Sequence, residues 1–124
     1  MNALLGPVLL AASAAAAPAA PPFAGLYEIN QMEMAGGLEL SPNGRFRFGF
    51  DYGAVSEISE GKWTSDKDGV VLTTDPMPPP AECDRGFAMA CFKGTRLPVV
   101  DGQLLLFRWD ARIVLRPVQR APSK

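Results

Sequence analysis

Cys83 and Cys91 are the only cysteines in this 124-residue chain, and their close spacing is its plainest chemical signal. In an oxidising compartment, two thiols across a short, glycine-containing segment most simply form a disulfide. Chain-entropy arithmetic gives such a small loop on the order of 2–3 kcal/mol, less any strain. A reactive thiol has little support, because the chain contains no histidine to activate either sulfur. The same absence removes the commonest general base and the commonest metal ligand. Met77, Cys83, Met89 and Cys91 share one segment, with Met32 and Met34 elsewhere, so soft Cu(I) ligation is chemically conceivable. Their spacing matches no metal motif, and methionines of β proteins usually fill core gaps. No metal or cofactor is therefore expected.

Acid–base catalysis needs two positioned carboxylates with separated pKa values. Glu57 and Glu60 are near in sequence but fall on opposite strand parities, and Glu33 and Asp51 belong to no motif. Gly-x-Ser-x-Gly, a Ser/His/Asp set and a phosphate-cradling loop are all missing. An enzyme is not expected.

The remaining candidate is a Pro-rich cystine loop at 75–95. It opens Asp75-Pro76-Met77-Pro78-Pro79-Pro80, a stiff polyproline stretch that cannot donate to a ladder. It continues through Phe87, Met89 and Phe92, which either form a contact surface for a partner or plug one end of the fold.

These residues must be positioned by strands. From residue 23 onward the pattern has period two, broken every eight to twelve residues or so by turn chemistry. The clearest ribbon is 45–52, which places Phe46, Phe48, Phe50 and Tyr52 on one face and Arg45, Arg47 and Asp51 on the other. Ser41-Pro42-Asn43-Gly44 feeds it from a partner strand carrying Leu38 and Leu40, giving a hairpin over 37–52. Segment 26–34 changes parity, which predicts a bulge near Asn30-Gln31. Segment 55–64 changes parity between Ile58 and Trp63, with Gly61 as the expected pivot. A turn at 65–69 precedes a strand over 70–74. Asp101-Gly102 joins strands 97–100 and 103–109 through a type I′ turn, and 112–118 is the last strand. About eight short strands in roughly 100 residues predict an all-β domain, a small antiparallel up-and-down barrel, with a β-sandwich as the alternative. Phe46, Phe48, Phe50, Tyr52 and Trp63 are the expected core aromatics, bulky enough to fill most of such a barrel.

The run Leu38-x-Leu40-x-Pro42-x-Gly44-Arg45-Phe46-x-Phe48, with Tyr52-Gly53-Ala54, Glu57 and Gly61-x-Trp63, resembles small exported bacterial proteins of lipocalin-like, calycin type. The resemblance covers about residues 25–75 and implies a β-barrel; it carries over no functional residue.

Residues 1–19 read as a signal peptide. A short apolar stretch is followed by small residues and an Ala17-Pro18-Ala19 site, with cleavage after Ala19 or, alternatively, Ala16. Residues 20–124 would then be one domain, periplasmic or secreted. No cysteine precedes Cys83, so no lipobox exists, and no later apolar run is long enough for a transmembrane span. A net charge of −1 argues against nucleic acid as a partner. Residues 28–84 hold eleven acids and four bases (−7), while residues 85–124 hold two acids and eight bases (+6). Mutual neutralisation across a closing sheet explains this asymmetry; a basic face for an anionic polymer is the alternative. The expected function is a soluble exported barrel acting as a non-catalytic binding or interaction module. The alternatives are an inhibitor-like or envelope-associated protein presenting the 75–95 loop to a protein partner, and a carrier of a small apolar ligand.

Overall fold

Alternating side chains become eight strands in a computed structural model, which describes residues 22–76 and 90–118. They are β1 (Gly25–Gln31), β2 (Met34–Leu40), β3 (Arg45–Tyr52), β4 (Val55–Asp66), β5 (Gly69–Thr74), β6 (Lys93–Val100), β7 (Gln103–Arg108) and β8 (Ala111–Pro117). Each pairs antiparallel with the next, and β8 returns to β1, so the sheet is a closed up-and-down barrel rather than a sandwich. Among the described residues, no helix is long and apolar enough to cross a membrane. The expected leader, Cys83, Phe87 and Met89 lie outside the described residues.

The expected hairpin of β2 and β3 is present, with Leu38 opposite Phe48 and Leu40 opposite Phe46. Its turn places Gly44 at φ 87° and closes through the Gly44 N–H to the Ser41 carbonyl at 3.0 Å. Asp101 and Gly102 (φ 52° and 80°) make the expected primed turn between β6 and β7.

Two parity changes have different causes from those expected. No bulge occurs at Asn30-Gln31: Gln31 pairs with Met34 across a two-residue turn, in which Glu33 adopts φ 63°. The turn ends β1 and resets the alternation. Nor does Gly61 absorb a slip, for β4 runs unbroken with Glu57, Ser59, Gly61 and Trp63 inward and Ile58 outward, 71% exposed. Gly61 instead marks a corner where β4 passes from pairing β3 to pairing β5. A Cβ there would lie 2.1 Å from the Thr73 carbonyl oxygen, so only glycine permits this approach.

The interior is a continuous apolar cluster with residues from every strand. Phe46, Phe48, Phe50 and Trp63 are buried within it. Tyr52 is not a core residue: its phase is inward, but it is the last rung of β3 and lies at the rim, 37% exposed. Turns 41–44, 67–68 and 101–102 define the lower end. There the Trp63 Nε1–H donates to the Ser41 carbonyl at 2.9 Å, and the Tyr27 hydroxyl donates to the Phe23 carbonyl at 2.8 Å. The upper end carries turns 32–33, 53–54 and 109–110.

Closure between β1 and β8 rests on few rungs. Tyr27 faces Pro117, Glu28 faces Arg116, and the Val118 N–H donates to the Leu26 carbonyl at 2.8 Å. Higher on the seam, the Gln31 side-chain amide replaces the backbone ladder. Its Nε2 donates to the Arg112 carbonyl at 3.2 Å and its Oε1 accepts the Val114 N–H at 2.6 Å.

Candidate functional site

The inward phase of β4 carries a carboxylate into the barrel. Glu57 is 1% exposed, a placement that costs several kcal/mol unless the charge is paired. Its partner comes from the inward series of β7, in which Leu104 and Leu106 are followed by Arg108. Nη1 of Arg108 donates to Oε1 at 2.6 Å and Nη2 to Oε2 at 3.1 Å, a bidentate pair. The two side chains are 0% and 11% exposed, so solvent screens the pair little.

Trp109 follows at once, in the two-residue turn between β7 and β8. Its φ is 49° and that of Asp110 is 62°, so both lie in the left-handed region. The turn folds the indole back over its neighbour, with the Arg108 guanidinium 4.1 Å from the ring centroid. Tyr52 and Phe50 of β3 complete the group, with centroids 6.2 and 5.8 Å from Trp109. Trp109 is 47% exposed, and Met32, in the turn between β1 and β2, is 86% exposed. The upper end thus presents two half-open rings above a buried ion pair. Both carboxylate oxygens of Glu57 are engaged by Arg108, whose guanidinium in turn backs the indole.

The described residues just before β6 are anchored from within. Phe92 is 3% exposed and packs edge-on against Phe46 at 5.9 Å and Phe48 at 5.1 Å. Its N–H donates to Thr74 Oγ1 at 2.8 Å, and that hydroxyl also meets Ser59 Oγ at 2.8 Å. Phe92 is therefore no contact surface for a partner; burying its ring beside two core phenylalanines outweighs displaying it. Cys91 beside it is half-buried. Met32 points to solvent while Met34 packs on the core, so the two do not converge. Among the described residues, no group of three or more His, Cys, Asp or Glu side chains is gathered to hold a metal.

An open groove of about 490 Å³ lies at the lower end between Ala24, Leu26, Leu40, Pro42 and Val118. Glu39 and Ser41 are its polar side chains, and no ion pair or aromatic ring lines it.

The uneven charge along the chain is partly reconciled by ion pairs that reach from β6 and β7 back to β4. Arg108 reaches Glu57, and Arg96 pairs both guanidinium nitrogens with Asp66 at 2.9 Å. The Arg96 hydrogen bonds, with the Asp68 N–H, hold the Asp66 carboxyl at about 2, below its ordinary 3.8. A carboxyl lowered on folding stabilises the fold fully above its unfolded value. Its contribution fades as pH falls through the folded value, here between about 4 and 2. Substituting Arg96→Ala is expected to return the Asp66 carboxyl, followed by NMR titration, most of the way to its ordinary value. An unchanged midpoint would assign the shift to the backbone instead.

Sequence reasoning missed this site in an instructive way. Glu57 is weighed there only against Glu60, Arg108 falls among the eight bases of residues 85–124, and Trp109 ends the expected strand 103–109. Trp63 held the missing signal: taking it as inward sets Gly61, Ser59 and Glu57 inward too. No family model, curated protein or solved structure matches the chain.

Proposed function

We propose that the chain is an exported, non-catalytic binding module that meets its ligand at the upper end of the barrel, on Trp109 and Tyr52. The observation that carries this reading is the backbone of Trp109. Two-residue primed turns favour Asn-Gly or Asp-Gly, and this barrel uses Asp101-Gly102 at its other end. A bulky aromatic at φ 49° runs against that preference; such conformations cost on the order of 1–3 kcal/mol and cluster at ligand clamps and switch regions. The turn accepts this strain and in return sets an indole in the open, backed by a guanidinium.

Further support comes from the apolar cluster that the described residues build inside the barrel, which favours a ligand at the rim over one inside, and from the absence of histidine in the sequence. The leader-like residues 1–19 and the spacing of Cys83 and Cys91 support an exported chain with a disulfide between them. The lipocalin-like run in residues 25–75 is in keeping with a binding barrel.

Native mass spectrometry of protein purified from an exporting host tests the reading. Wild type should retain a ligand or partner that Trp109→Asn lacks. Asparagine suits the turn, so the variant should melt within about 5 °C of wild type. Equal retention by both proteins would move the site to the interior or to the 75–95 loop. Retention by neither would remove the binding function.

A further inference from the structure

We infer that the upper end takes a basic peptide. Lysine or arginine side chains of a partner segment would stack on Trp109 and Tyr52, and their charges would meet the carboxylates around those rings. The inference rests on the reading of this end as the ligand-binding face and adds the chemistry of the occupant.

Charge carries the argument. Three exposed acids sit on three separate stretches of the rim: Glu33 in the turn after β1, Asp51 beside Tyr52, and Asp110 beside Trp109. The ion pairs found engage Glu57, Asp66 and Asp75; Glu33, Asp51 and Asp110 form none among the described residues. Against them stands Arg112, exposed on β8 opposite Phe107. Lys93 lies well down the wall, level with Thr73 and Lys62 through the strand register. Glu57 and Arg108 cancel each other, so the guanidinium against Trp109 adds no net repulsion toward an incoming cation. Among the described residues the rim therefore offers aromatic faces within a surplus of negative charge, the setting that cation–π contacts require.

The placement of the acids on three separate stretches of the rim selects the kind of cation. Exposed ion pairs and exposed cation–π contacts are each weak in water. A single ammonium or guanidinium would reach one ring and one carboxylate. A segment with several basic side chains spans the rim and sums these contacts, as linked weak sites do.

The test uses the full chain and the indole N–H resonance of Trp109, assigned by its loss in Trp109→Asn. The probes are three capped octapeptides in which alanine alternates with arginine, glutamine or glutamate. The arginine peptide should give a saturable shift at about 20 mM salt that weakens several-fold at about 200 mM, as screening of exposed charges demands. The triple variant Glu33→Gln, Asp51→Asn, Asp110→Asn should bind it about ten-fold more weakly. These are surface changes that preserve shape, and asparagine at 110 tolerates the left-handed backbone. Equal shifts with the glutamine or glutamate peptide, undiminished binding by the triple variant, or no saturable shift with the arginine peptide would each overturn the inference. If the triple variant still retains the native partner while Trp109→Asn loses it, the inference fails and the upper-end reading stands. If Trp109→Asn also retains that partner, both fail.

Discussion

Substituting Glu57→Ala is expected to lower the unfolding free energy by about 3–5 kcal/mol, because it removes the bidentate carboxylate partner of Arg108 in a site with little access to water. Small domains hold only about 5–15 kcal/mol in total, so the variant should unfold at much lower urea or fail to accumulate. Glu57→Leu combined with Arg108→Met should behave in the opposite way. Replacing a buried pair with apolar side chains of similar volume is often neutral, or stabilising by about 1–4 kcal/mol. The double variant should therefore unfold cooperatively near or above the wild-type urea midpoint while its indole loses the guanidinium backing. Together the two variants separate what the pair does for the fold from what it does for Trp109. A single variant that loses less than about 1 kcal/mol would mean the pair is hydrated and Glu57 is not truly enclosed.

Phe92→Ala is expected to lose about 3–5 kcal/mol, the range for truncating a fully enclosed aromatic with partial collapse around the gap. Chemical denaturation measures it directly. Phe92 meets Phe46 and Phe48 edge-on, and each such aromatic pair adds about 0.5–1.5 kcal/mol beyond area burial. A loss below about 1 kcal/mol would place the ring outside the core and return it to the list of partner contacts.

Much of the architecture was legible because it is written in local alternation. The aromatic run of β3, the Pro-Asn-Gly turn before it and Asp101-Gly102 each specify their geometry within a few residues. The site was less legible because its parts are defined by partners far along the chain. Glu57 reads as surface until Arg108, 51 residues later, is known to face it. Ile58, conversely, reads as core although it faces water. Polarity alone gave the wrong phase for this stretch, since an internal ion pair can take the place of an apolar contact. The turns at 32–33 and 109–110 escaped notice for a related reason. Glu33, Trp109 and Asp110 adopt positive φ without the glycine that normally marks it. Tyr52 shows a third limit: strand phase gives the direction of a side chain but not its height in the barrel.

The seam between β1 and β8 has a bearing on chain order. Leu26 and Val118 are hydrogen-bonded neighbours at the lower end, so the first and last strands begin and finish side by side. A short peptide linker could join them there, and new termini could be opened at the exposed Asp101-Gly102 turn without disturbing a single inward residue. Such a circular permutant would keep the same ring of neighbours under a different order of synthesis. The order of the strands along the chain would then be a convenience of the gene rather than a requirement of the barrel.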